Sequence, residues 1–168
     1  MGHHEHEKLA GASLRVGVMT FTDTRDESND KSGGILREML VAAGHQIAGY
    51  RIVREDAGLM RQALEEWLLS TQFDAVVSNG GTGLTARDGT VEVARSLFNK
   101  EMEGFGELFR LISYHQIGPA AMLSRACAGV VGDKMLICLP GSSKAVRLAT
   151  ARLIVPQLPH MIWEVRRQ

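Results

Sequence analysis

Three short apolar runs, residues 14–21, 45–53 and 73–78, alternate with two segments whose apolar residues recur at helical spacing. No other feature limits the chain as much. The runs carry Val, Ile and Phe, which suit buried, pleated strands. The first intervening segment places Ile35, Leu36, Met39, Leu40 and Ala43 on one helical face; the second does the same with Leu59, Ala63, Leu64, Trp67 and Leu68. Asp30 or Ser32 can cap the first helix, and Gly44 can end it. Strand–helix–strand–helix–strand order builds a parallel α/β sheet with helices on both faces.

The rest of the chain extends this plan. Residues 91–98 and 105–114 read as two short helices, while 118–125 stay ambiguous. Residues 128–139 read as two strands about Gly132-Asp133, a hairpin that adds an antiparallel element. Ser142 can cap a last helix through Ala145, Leu148, Ala149 and Leu153, which Pro156 and Pro159 are expected to kink or break. His3, His4 and His6 lie in a polar head, residues 1–12, expected to be disordered rather than a metal tract. Residues 13–168 then form a single domain, and 168 residues suffice for one core.

Charge and cysteine usage narrow the function. Lys+Arg and Asp+Glu both number 19, so the basic excess of a nucleic-acid binder is missing. No apolar run approaches the roughly 18 residues of a membrane span. No signal-peptide core opens the sequence, so a soluble cytoplasmic protein with reduced cysteines is expected. Cys127 and Cys138 have no zinc spacing and read as small core residues.

Three loops each follow a strand, where open α/β sheets bind ligands, so they are expected to converge. The first runs from Asn79 through Gly80, Gly81, Thr82, Gly83 and Thr85 to Asp88. Its glycines allow positive φ and close approach, its N–H groups can form an anion nest, and its threonines add hydroxyls. Asp88 beside such a nest suggests a held cation or a proton acceptor; the plainer alternative is a cap for the next helix. The second loop holds Thr22, Asp23, Thr24, Asp30, Ser32 and Gly33 at a helix start. Its acids suit metal or hydroxyl recognition, or simply a solvated capping loop. In the third, Pro140, Gly141 and Ser142 enter the last helix. Asp56 sits at the end of the second strand and matters through that position alone.

Taken in order, Gly80-Gly81-Thr82-Gly83, Arg87-Asp88-Gly89-Thr90, residues 104–110 (GFGELFR), Ser113-Tyr114, Ile117-Gly118, residues 121–126 (AMLSRA) and Leu139-Pro140-Gly141-Ser142 form a specific set. Ser32-Gly33 and Ala43-Gly44-His45 fit upstream. The set resembles the MoaB/MogA molybdenum cofactor biosynthesis family over residues 14–165, and the GFGELFR run is closer to the MoaB branch. The resemblance implies a three-layer α/β sandwich, mostly parallel with one antiparallel element. It also implies Mg2+-dependent adenylylation of molybdopterin by ATP, with pyrophosphate released, in a homo-trimer or homo-hexamer. The family's two functional aspartates fall on Asp56 and Asp88, as catalytic residues and holders of Mg2+. Gly80, Gly81, Thr82 and Gly83 would cradle a phosphate, and Pro140, Gly141 and Ser142 would bind the pterin or its phosphate. Asn79, Thr85, Thr22, Asp23, Ser32 and Gly33 complete the expected substrate-binding set. A molybdopterin-binding member without catalysis, and a CinA-like nucleotide-processing enzyme on the same fold, are the alternatives. Ala86, Val91 and Ser143 stand where the family usually has Pro, which loosens each turn by about 0.4–1 kcal/mol, and Gly89 replaces a larger residue.

Overall fold

A computed structural model describes residues 12–167. Residues 1–11 of the expected head, with its three histidines, lie outside them. Six strands form one sheet: β1 (Arg15–Phe21), β2 (Gln46–Val53), β3 (Ala75–Asn79), β4 (Lys100–Glu101), β5 (Cys127–Val131) and β6 (Lys134–Leu139). Their spatial order is β2-β1-β3-β6-β5-β4. β1 pairs in parallel with β2 and β3, and β3 with β6. β5 runs antiparallel to both β6 and β4, so it is the one reversed strand.

The helices are α1 (Lys31–Ala42), α2 (Ala57–Leu69), α3 (Thr90–Leu97), α4 (Glu103–Ile117), α5 (Ser143–Ala149) and α6 (Val155–Arg166), with a 3-10 segment at Gly118–Leu123. The strands β1, β3 and β6 are buried on both faces, as parallel strands between two helical layers must be. On one face Val16, Val18, Val77 and Ile137 pack against Leu36 and Leu40 of α1, Phe105 and Phe109 of α4, and Leu158 and Ile162 of α6. On the other, Met19, Val76 and Leu136 meet Met60, Leu64 and Trp67 of α2 and Val91 and Ala94 of α3. The three-layer sandwich follows from these two apolar interfaces.

Asp30 caps α1 through the Gly33 N–H, which settles that choice in its favour over Ser32. Its buried carboxylate also accepts from Thr20 Oγ1 at 2.5 Å and from the Tyr50 hydroxyl at 2.8 Å. That ties α1 to β1 and β2.

The C-terminal helix departs from expectation. Pro156 and Pro159 do not break it. A π turn at Thr150–Ile154 joins α5 to α6, with Val155 N–H bonded to Thr150 O. The wider turn puts Pro156 in the first turn of α6, where a missing N–H is tolerated. Pro159 lies inside α6 and is buried.

Candidate functional site

The chain leaves β1 toward β2 on one side and returns past it to β3 on the other. This reversal opens a crevice at the strand C-termini. An open cavity of about 380 Å3 occupies it. Phe21 at the end of β1, Thr22, Thr24 and Arg25 after it, Glu55 after β2, Gly80 to Gly83 and Asp88 after β3, and Pro140 and Gly141 after β6 line it. Leu123, Ser124 and Arg125 close the remaining side. Among the expected site residues, Thr22, Gly80, Gly81, Thr82, Gly83, Asp88, Pro140 and Gly141 therefore meet at one place.

The glycine turn needs its composition. Gly80 has φ 97° and Gly81 φ 61°, in the left-handed region. A Cβ at Gly80 would overlap the carbonyl of Phe21, so β1 and β3 close together only around a residue without one. The nest is narrower than expected. Gly80 N–H bonds Leu139 O at 3.0 Å, and Gly83 N–H is drawn to Asp88. The N–H groups of Gly81 and Thr82 have no protein acceptor among the described residues, so they are the donors left for an anion.

Asp88 is not a helix cap. Gly89 takes the N-cap position of α3, with no side-chain bond. Asp88 Oδ2 instead accepts from Thr85 N at 2.9 Å and Thr85 Oγ1 at 2.5 Å. The Thr85 hydroxyl, the backbone N–H groups of Thr85 and Gly83 and the charge of Arg125 hold Asp88 below its ordinary value despite partial burial. Thr85 thus positions Asp88 and does not itself line the cavity.

Asp56 is placed differently from expectation. It is exposed, caps α2 by accepting from Leu59 N at 2.9 Å, and does not line the cavity. The residue before it, Glu55, does. Burial pushes Glu55 upward, the charges of Asp23 and Asp88 add to that, and Arg87 and Arg25 oppose it. Asp23 takes the Glu55 N–H at 3.1 Å and pairs with Arg87 and Arg54, so it anchors the loop. No pattern in the sequence separates Glu55 from Asp56; the start of α2 at Ala57 makes Asp56 its cap and leaves Glu55 for the crevice.

Two cations were missed. Arg25 donates to Ser32 Oγ at 2.7 Å and to Gly141 O at 3.2 Å, and Asp30 lies 3.8 Å from it. Ser32 Oγ in turn donates to Gly141 O at 2.8 Å. Ser32 is therefore a brace between Arg25 and the β6 loop, set behind the cavity wall. Gly33 packs against Asp30 and Thr20, where a Cβ would meet Thr20 Oγ1 at 2.8 Å. Arg125 pairs with Glu92 from α3. Asn79 is buried, donating to Thr20 Oγ1 at 2.9 Å, and Ser142 caps α5 through Ala145 N. Both stand outside the lining.

The arrangement offers two free backbone donors and two guanidinium groups for anions. It also offers two carboxylates, Glu55 and Asp88, whose hard oxygens suit a divalent cation. Among the described residues, no Ser/His/Asp or Cys/His arrangement lines the cavity. Among the described residues, no helix is long and apolar enough to cross a membrane.

Comparison with known proteins agrees with the fold. A family model described as a probable molybdopterin binding domain matches residues 13–160. Molybdenum cofactor biosynthesis protein B of Bacillus cereus is 48% identical over 165 residues, 98% of each chain. A crystal structure of a molybdenum cofactor biosynthesis protein B superposes with a TM-score of 0.92 at 48% identity, covering 95% of this chain and 99% of that one. The tungsten cofactor synthesizing protein MoaB of Pyrococcus furiosus superposes at 0.83 with 35% identity, covering 92% and 98%. On the motif set, the fold and these likenesses together, the chain belongs to the MoaB/MogA family of molybdenum cofactor biosynthesis proteins, in its MoaB branch.

Proposed function

We propose that the cavity binds molybdopterin and ATP with Mg2+ and transfers AMP to the terminal phosphate of the pterin, releasing pyrophosphate. The observation that carries this reading is the composition of the lining: phosphate donors and two carboxylates within a single crevice. Two phosphorylated substrates repel each other, and their reaction requires that charge be offset and the groups aligned.

The residues fit a magnesium ion. Asp88 is kept ionised by its hydrogen bonds, while Glu55 lies under the charges of Asp23 and Asp88. A divalent cation would relieve that crowding. Magnesium takes one or two carboxylates and fills its other positions with phosphate oxygens and water, so Glu55 and Asp88 are a sufficient protein set. When bound, Mg2+ neutralises charge on the attacked phosphate and on the departing pyrophosphate. Arg25, fixed by Ser32, Gly141 and Asp30, binds an anionic phosphate from one side, and Arg125 from the other. The Gly81 and Thr82 N–H groups orient a phosphate oxygen. Thr85 holds Asp88 in its ionised form. No protein nucleophile takes part, because the pterin phosphate itself attacks.

The reading keeps a cytoplasmic location and a trimeric or hexameric assembly. It is tested by pyrophosphate release on mixing the protein with molybdopterin, ATP and Mg2+. Native protein should release pyrophosphate, while Asp88→Asn and Glu55→Gln should fold but lose turnover by about 100-fold or more, as removing a group that stabilises transition-state charge does. Pterin binding with no release by native protein would refute catalysis and leave a binding role.

A further inference from the structure

Cys127 on β5 and Cys138 on β6 stand directly opposite each other in the antiparallel register. Both are free thiols, 2% and 0% exposed. Directly opposed residues hold their Cα atoms about 4.5–5.5 Å apart, inside the roughly 4.4–6.8 Å that a disulfide spans. The two side chains share one face of the sheet, in the core beneath α2 and α3, and lie within hydrogen-bonding reach of each other. Cys127 also lines a second pocket, about 180 Å3, at the β4 edge of the sheet with Arg95, Glu101 and Arg110. This pocket shares no lining residue with the crevice.

The two thiols are unequal. The hydrogen bond from Cys138 draws Cys127 below its ordinary value against burial, and Arg95 and Arg125 help. The same contact, with burial, pushes Cys138 well up. Cys127 is thus the more readily ionised of the two, as an attacking cysteine beside a resolving one would be.

We propose that Cys127 and Cys138 are an oxidation site for peroxides, at which the facing thiols close a disulfide between β5 and β6. The Cys127 thiolate attacks one peroxide oxygen; the O–O bond breaks, and the departing oxygen leaves as water after protonation. Cys138 then attacks the resulting sulfenic acid at sulfur, its S–O bond breaks, and a second water leaves. Two thiols and one hydrogen peroxide give one disulfide and two waters, the two electrons passing to the peroxide. The bond would join the roots of two cavity walls, because Cys127 follows Arg125 by two residues and Cys138 precedes Pro140 by two. The site stands whichever ligand the crevice takes.

The test uses the full chain, reduced, freed of reductant and exposed to hydrogen peroxide. It is then unfolded, blocked with N-ethylmaleimide and weighed by mass spectrometry. The expected product has lost two hydrogens, takes up no maleimide, yields a tryptic peptide linking Cys127 to Cys138, and regains two reactive thiols with dithiothreitol. Cys138→Ser should stop at a sulfenic acid on Cys127, captured by dimedone. Should that variant fail to fold, the native peptide map still decides. Two maleimide adducts after peroxide, a disulfide only between separate chains, or closure only in urea-unfolded protein would each overturn the proposal.

Discussion

Replacing Gly80 with Ala probes the closest backbone approach in the crevice. Two effects add. A side chain at φ 97° incurs roughly 1–2 kcal/mol of left-handed strain. The added Cβ would also overlap the Phe21 carbonyl and stand 3.1 Å from its carbon. Both partners are backbone, so no rotamer relieves the overlap, and β1 must move from β3 at a cost of about 1–3 kcal/mol. Gly44 supplies the control. Its φ is 89°, and a Cβ there meets nothing within 4 Å. Gly44→Ala carries the strain without the clash. At roughly 2–4 °C per kcal/mol for a chain of this size, Gly80→Ala should lower Tm by about 10 °C and Gly44→Ala by about 4 °C. Circular dichroism melts give both values, and a nucleotide titration should show weakened binding in Gly80→Ala alone. Equal losses of Tm in the two variants would refute the steric account and leave only a generic glycine effect.

Asp56→Ala should remove the α2 cap, lower stability by about 1 kcal/mol in urea unfolding and leave turnover intact, the reverse of Glu55→Gln. Asp30→Ala strips the acceptor from Thr20, Tyr50 and Gly33; it should destabilise by about 3 kcal/mol or more, read as a melt, and loosen Arg25. Asp74 sets an acid limit. Burial would raise it, but hydrogen bonds from Arg15 and Arg166 outweigh that and hold it far below the ordinary 3.8. A depressed carboxylate contributes its stability above the unfolded value and loses it below, so urea midpoints should fall as pH drops under 3.8, and less steeply in Asp74→Asn.

Strands buried on both faces announce themselves as continuous apolar runs, so β1, β3 and β6 were legible, and the Gly132-Asp133 turn revealed the reversed strand. β4 was not: two residues, Lys100 and Glu101, carry no period. The site was half legible. Glycines at positive φ and an acid at the end of their loop mark a ligand turn by composition. Arg25 and Arg125 become site residues only through partners distant in the chain, Gly141 for one and Glu92 for the other. Residues 118–125 were ambiguous because a 3-10 turn has too short a pattern to read, yet their end forms a wall. Asp56 and Glu55 differ by one position, and only the direction in which α2 starts separates a cap from a crevice residue.

The order in which the sheet is assembled has a bearing on when binding can begin. β1 pairs with β3, but β3 meets β6 some sixty residues further on, and Pro140 and Gly141 come later still. A growing polypeptide carries the glycine turn long before it carries the wall opposite. Ligand capture therefore has to await Pro140 and Gly141, and a bound nucleotide would stabilise folded molecules while giving nothing to chains that stop short of these residues.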